Sequence, residues 1–488
     1  MLVFGRYYIS IEVILDYTAK DVIFLVFSSI EFLLCFLPVF LLLYGVTPKR
    51  YKNVTLVLGS FFFYAMGELK FLPLLMASVV ANFLLAYQFT VVPRQRGKSR
   101  RQKRYKIIKK NRMLLGAAAV VNIGVLVVFK IGMGDTGLPL GISFYTFQVM
   151  SYLFDVYRGE QKKETSLVRF ATYMCMFPQL LSGPIVVYGE VRDKLQNRVF
   201  TAESLQQGLK VFTAGLASKV LLADRIGLLW QQVQVTGFAS ISTPLAWIAA
   251  VAYSLKIYFD FYGYSLMAVG LGRMLGFKLP ENFREPYMAG SVRDFYRRWH
   301  ITLGRWFCKY VYIPLGGNRR GELRTAVNLL VVWILTSVWH GSTENFLIWG
   351  LLLWLLIVVE RLLEALGITK IFRLGVLKVI PHLYLLAVIP VTWMCFAITD
   401  ISQLQIYLGR MFGTLEGIRV SAKDWMKALE TYWYLFVIGF AACTPAVKKL
   451  FARWKDSLVG MIVLAALFWL CVWRLSVEGQ NPFMYSNF

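Results

Sequence analysis

The chain holds three histidines, and two of them stand beside tryptophan, in Arg297-Arg298-Trp299-His300 and Val338-Trp339-His340-Gly341. His340 closes the apolar run Leu329–Val338. An ionisable group in such a run is costly to place in a bilayer and is a functional-site hypothesis by default. Imidazole is also the side chain best suited to move a proton near neutral pH. The pattern reads as a membrane enzyme whose chemistry turns on proton abstraction. The competing reading of His340 is a packing histidine bonded to a nearby carbonyl. His382 follows Pro381 at the start of an apolar run and reads as interfacial.

Further unusual residues fall between Asp260 and Asn318. Arginines and aromatics alternate from Tyr296 to Trp306, so Arg298 and Arg305 are candidates for phosphate, and Trp299 for stacking or hydrogen bonding. An amphipathic interfacial helix has the same composition, with Trp and Tyr at headgroup level and Arg on lipid phosphate. Asp260 lies four residues after Lys256, on the same helix face, which equally fits a local ion pair. Trp299, Arg298, Arg305, Asn318 and Asp260 form the candidate substrate-binding set beside the candidate catalytic pair His340 and His300. Three separated histidines do not predict a metal site. No Gly-x-Ser-x-Gly elbow, Walker loop, dinucleotide fingerprint or CxxC pair occurs.

The elements that must position these residues are membrane helices. Hydrophobic residues make up 58% of the 488 positions and charged residues 16%. Apolar stretches approaching the roughly 17–25 residues needed to span recur throughout. The clearest are 22–46, 71–92, 113–131, 243–255, 326–340, 346–359, 383–397, 433–443 and 459–472. Several are short, which predicts tilted or broken helices. The net charge is 53 − 27 = +26. Most of it falls in loops between apolar runs, where it marks the cytoplasmic side rather than nucleic acid. The basic loop 93–112 has no acidic residue from Arg94 to Arg112. It reads as a solvated loop, with anionic lipid or acyl-CoA phosphate as the sharper alternative. The basic clusters place both termini outside, with a turn near Gly67-Glu68-Leu69-Lys70. No cleavable signal peptide is evident, so the first helix reads as a retained anchor. The six scattered cysteines form no framework. Segments 134–158, 177–185 and 260–318 mix Pro and Gly with apolar residues. Such breaks are tolerated at membrane depth where they line a cavity. The expected organisation is one membrane domain, 1–488, with the catalytic region at 260–345.

Several motifs in order carry a resemblance: Gly141-Ile142-Ser143-Phe144-Tyr145-Thr146-Phe147-Gln148, Phe177–Pro184, Pro280-Glu281-Asn282-Phe283, Arg297-Arg298-Trp299-His300, Tyr312–Arg319 and Trp339-His340-Gly341. Through them the chain resembles the membrane-bound O-acyltransferases. More narrowly it resembles the bacterial branch with the membrane subunit of alginate O-acetyltransferase and the teichoic-acid D-alanyl transferase subunit. The sequence departs from the alginate-type pattern at Cys308-Lys309, where Arg-Asp is usual, and at Leu266, where Asp is usual.

The resemblance implies an all-α polytopic fold, a ring of about 11 transmembrane helices with re-entrant and interfacial helices around a central funnel. It maps the hallmark histidine to His340 and a second to His300. It implies no bound cofactor and an acyl thioester donor, acetyl-CoA or an acyl carrier, arriving from the cytoplasm. The acyl group leaves on the outside of the cytoplasmic membrane, onto a polysaccharide, directly or through a separate extracytoplasmic acyltransferase subunit. In that scheme His340 is the general base, and Trp299, His300 or a backbone N–H stabilises the oxyanion. Cys308 as a covalent acyl carrier stands against Cys308 as a packing residue. The alternatives are D-alanyl or other acyl transfer to teichoic acid or peptidoglycan, and a transporter for an anionic solute.

Overall fold

The computed structural model describes residues 25–90, 98–131, 137–181, 183–373, 375–415 and 420–478. The expected exterior placement of the two termini falls on residues outside these ranges. Among the described residues the secondary structure is helical, with no strand. Among the described residues six helical segments are long and apolar enough to cross a membrane: Lys49–Gln88, Arg104–Lys130, Glu322–His340, Glu344–Ala365, Leu377–Ala397 and Leu458–Glu478. A seventh forms if Asp424–Ala442 and Pro445–Trp454, bent by 79°, count as one broken span. The chain is a multi-pass membrane protein. The implied ring of about 11 exceeds these six or seven; other helices are shorter or more polar.

The sequence turn near Gly67–Lys70 lies where helix Lys52–Glu68 gives way to Leu72–Gln88, and Glu68 leaves helical geometry at φ −152°, ψ 78°. The Glu68 carboxylate accepts a hydrogen bond from the Leu140 N–H at 2.7 Å, tying this break to the start of helix Ile142–Arg158.

Two expectations are corrected. The basic segment read as a loop is helical from Lys98, within one 34-residue helix, Lys98–Ile131. Lys, Arg and Gln are good helix formers and no Gly or Pro interrupts them until Gly116, so the basic segment and the apolar span form one helix. The predicted broken stretch 260–318 is also regular at its start. Asp260 lies inside the 32-residue helix Thr243–Met274, and irregular structure begins at Leu275.

Thr243–Met274 is the central element, apolar on nearly every side and buried in protein rather than facing lipid. It packs most closely on Ala202–Ala217. Glycines make that approach possible: a Cβ on Gly208 would stand 2.6 Å from the Gly270 carbonyl, and one on Gly263 2.6 Å from the Gly215 carbonyl. Small residues are what let helix backbones meet in a membrane.

Candidate active site

His340 ends the helix Glu322–His340. Leu329, Val332, Trp333, Thr336 and His340 recur at three- and four-residue steps, so they form one stripe. At 1.5 Å per residue the stripe is about 16 Å long. The chain then turns at Gly341 in extended conformation and re-enters as helix Glu344–Ala365. Glycine is required here by space: a Cβ would lie 2.3 Å from the Phe346 ring. With glycine, Phe346 stacks at 6.2 Å on the His340 imidazole, while Trp349 and Phe396 meet it edge-on at 5.1 Å each. These aromatic contacts fix the ring plane.

His300 is positioned by backbone rather than by a helix. Helix Val292–Arg298 ends at Trp299, and His300 takes the left-handed conformation, φ 45°, ψ 53°, before helix Ile301–Phe307 begins. Such a non-glycine conformation costs about 1–3 kcal/mol and persists only where its surroundings impose it. Two backbone bonds do so: Arg284 N–H donates to the Arg298 carbonyl and Ile301 N–H to the Asn282 carbonyl, each at 2.9 Å.

The Asn282 side chain sets the proton on His300. Its Oδ1 accepts from the Thr302 N–H at 3.2 Å and from the Thr302 hydroxyl at 2.8 Å. A backbone N–H can only donate, so the amide oxygen must face this cluster. His300 Nδ1, 3.1 Å from the same oxygen, is therefore the protonated nitrogen of the neutral ring. Nε2 then carries a lone pair, is buried, and has no hydrogen-bond partner among the described residues. With Nδ1 protonated, neutral His300 presents Nε2 as an acceptor.

Both histidines line one cavity of about 420 Å³. Its walls are the His340 stripe, Trp349, Ile357 and Arg361 of helix Glu344–Ala365, Trp393, and residues of the 293–312 segment. The lining is apolar and aromatic apart from the histidines, Thr336, and arginines 293, 297, 305 and 361. Trp339 connects the two centres, its ring 6.4 Å from His300 and 4.5 Å from His340.

The sequence-selected residues divide. Trp299 lines the cavity and packs at 5.0 Å against both Phe283 and Trp393. Arg305 also lines it, and pairs with Glu190 at 3.0 Å. Arg298 is not in the lining; it pairs with Asp294 at 2.9 Å one turn back. Asn318 is exposed, outside the lining. Asp260 is buried elsewhere, 3.3 Å from Lys219 of a neighbouring helical segment. Cys308 lines the cavity, while Lys309 pairs with Asp155 at 2.8 Å and Glu160 at 2.7 Å. No cluster that could hold a metal occurs among the described residues.

Sequence reasoning did not select Asn282, Arg297 or Trp349. Asn282 stands in the motif Pro280-Glu281-Asn282-Phe283, where a polar amide directly before phenylalanine is the signal for it. Trp349 lies nine positions after His340, and its indole N–H is buried without a partner among the described residues. Arg297 lines the cavity and forms no ion pair within 4.0 Å among the described residues.

A model of the membrane-bound O-acyltransferase family matches residues 158–398, which include both histidines and all the cavity walls. A Pseudomonas putida protein named "Probable alginate O-acetylase" is 31% identical over 497 residues, covering 95% of this chain and 100% of its own. The chain belongs to the membrane-bound O-acyltransferase family. A Helicobacter pylori protein named "Peptidoglycan O-acetyltransferase" is 32% identical over 476 residues, 86% of each chain. A Bacillus subtilis "Teichoic acid D-alanyltransferase" is 30% identical over 223 residues, 43% of this chain and 56% of its own. As a membrane-bound O-acyltransferase, the protein is an enzyme that transfers acyl groups to oxygen, and the histidine cavity is its candidate active site.

Proposed function

We propose that this enzyme moves an acetyl group from cytoplasmic acetyl-CoA through the membrane to hydroxyls of an extracytoplasmic polysaccharide, directly or through a separate extracytoplasmic subunit. The observation that carries the reading is the convergence of His300 and His340 on one narrow, arginine-edged cavity. A space of about 420 Å³ suits a thin thioester arm, not a whole coenzyme A. Arg297 is placed to hold a phosphate of a donor whose nucleotide, or carrier protein, stays outside; beside it Arg293 and Arg361 pair with Glu364 and Glu322 at 2.7 Å each. The exterior acceptor is supported by the names of the Pseudomonas and Helicobacter relatives.

In the proposed reaction His340 takes the proton from the acceptor hydroxyl as its oxygen attacks the thioester carbonyl. Collapse of the tetrahedral intermediate breaks the carbon–sulfur bond, and the proton passes from His340 to the departing sulfur. The products are an ester and a free thiol. The Trp349 N–H is a donor for the developing oxyanion. His300 Nε2 accepts a hydrogen bond from the substrate and orients it. A positioned base contributes about 10²–10⁴-fold. The dry aromatic walls supply orientation and exclude hydrolysis.

The test measures thiol release from radiolabelled acetyl-CoA by purified wild type and His340→Ala, with the label traced to acceptor and protein. The expected result is release by wild type and loss of about 10²-fold or more in the variant. Near-wild-type turnover by folded His340→Ala would overturn the base assignment. Turnover only with an acylated carrier protein would move the donor to that class, as in the D-alanyl alternative. No thioester cleavage with any donor would favour transport.

A further inference from the structure

A second pocket, of about 690 Å³, shares no residue with the histidine cavity. Every lining residue except Leu195 is polar: Lys49, Arg50, Asn53, Arg169, Gln196, Asn197 and Arg198. They come from three places: the basic turn and first residues of helix Lys52–Glu68, the helix Leu167–Cys175, and the segment ending helix Tyr188–Asn197.

Arg198 is 4% exposed and rigidly mounted. Its Nε donates to the Tyr44 hydroxyl and its Nη1 to Asn53 Oδ1. The guanidinium lies 4.8 Å from the centre of the Phe277 ring. Its remaining nitrogen, Nη2, is buried and has no partner among the described residues. Arg169 presents the same feature at Nε, while its Nη2 donates to Glu164 at 2.6 Å.

Glu164 is the carboxylate at this site, and it is fully engaged. It accepts from Arg169, from the backbone N–H of Thr165 and Ser166, and from the Tyr188 hydroxyl. Burial alone would raise its pKa, but these bonds outweigh burial and hold it down at about 2. It therefore neutralises Arg169 and nothing more. Lys49, Arg50 and Arg198 have no carboxylate within 4.0 Å among the described residues. A buried guanidinium without a counter-charge is costly, and several cations facing one polar space call for an anion. Planar guanidinium donors match phosphate oxygens in particular.

We propose that this pocket is a phosphate-binding site, lined by the Arg198 and Arg169 guanidiniums with Lys49 and Arg50 at its rim. The phosphate is carried by an anionic lipid headgroup or by a soluble phosphate compound at the basic face of the membrane. Exposed apolar side chains flank the basic residues in sequence, Val46 at 81% and Val199 at 63% exposure, where acyl chains could lie. Basic pockets between membrane helices are where anionic headgroups bind.

The experiment uses the full-length, delipidated protein in detergent. Native mass spectrometry and thermal unfolding follow titration with phosphatidylglycerol, phosphatidylcholine and inorganic phosphate. The variants are Arg198→Gln and the exposed rim pair Lys49→Gln/Arg50→Gln. Expected are retention of phosphatidylglycerol over phosphatidylcholine and affinity lowered by about five-fold or more in the rim variant. Phosphatidylglycerol selectivity without a phosphate effect assigns the site to lipid. Stabilisation by inorganic phosphate, lost in the same variants, assigns it to a soluble phosphate compound. Equal behaviour of all three ligands, or binding unchanged in the rim variant, would overturn the proposal. The rim variant decides the question if Arg198→Gln does not fold.

Discussion

Asn282 Oδ1 holds the Nδ1 proton of His300, 3.1 Å away and 18 residues later in the chain. The amide is itself oriented by the Thr302 N–H and hydroxyl, and that hydroxyl accepts from the Ile185 N–H at 3.0 Å. The chain of bonds runs from backbone to imidazole and leaves His300 Nε2 as an acceptor in the cavity. Hydrogen-bond partners that orient metal-bound histidines are typically worth about 10–100-fold in activity, and the same scale is taken for this pair. Asn282→Leu is therefore expected to lower kcat by about 10–100-fold with KM little changed, in an enzyme that still folds. Asn282→Asp keeps an oxygen acceptor and is expected to recover part of the loss. Equal defects in the two variants, or a change confined to KM, would remove Asn282 as a positioning residue.

Trp349→Phe keeps an aromatic ring edge-on to His340 but deletes the one N–H that Trp349 can offer. Removing an oxyanion donor costs about 10²–10³-fold in kcat. Steady-state kinetics should show a loss of that order. A variant at wild-type kcat would assign the oxyanion contact to another group.

Gly341→Ala inserts a Cβ 2.3 Å from the Phe346 ring. Phe346 must move, and it stacks on His340. Overpacking of this kind costs about 1–3 kcal/mol. Both the melting temperature and turnover should fall. Adding Phe346→Leu should restore stability more than turnover, because space returns but the stacked ring does not. Full recovery of turnover would show that the stacking is not needed for chemistry.

Glu164→Gln tests the carboxylate beside the second pocket. Folding lowers the Glu164 pKa from 4.5 to about 2. A depressed folded value contributes stability that is present above the unfolded pKa and lost as pH falls through the folded one. Wild type should exceed Glu164→Gln by about 2–3 kcal/mol at pH 7, with the gap narrowing below pH 4.5 toward pH 2. Thermal unfolding across that range gives the answer; a constant gap would mean the loss is steric.

Composition and spacing alone determined that this is a helical membrane protein and singled out His340 as its candidate base. Both follow from local physics: apolar runs long enough to span, and an imidazole too costly to bury without purpose. Ordered motifs carried the family. The stripe Leu329–His340 was also legible, since helical periodicity alone puts its members on one face. Sequence could not say what faces that stripe. That His300 reaches it depends on a left-handed residue pinned by backbone bonds to Asn282 and Arg284. That Asp260 pairs with Lys219, 41 positions earlier, depends on how two helices pack. Arg298 and Arg305 look alike in sequence, yet one pairs with its own helix and the other lines the cavity. The second pocket joins residues 49–53, 169 and 195–198, which no local pattern relates. Periodicity constrains neighbours on one element; which elements meet, and which nitrogen keeps a proton, is decided only when the whole chain has packed.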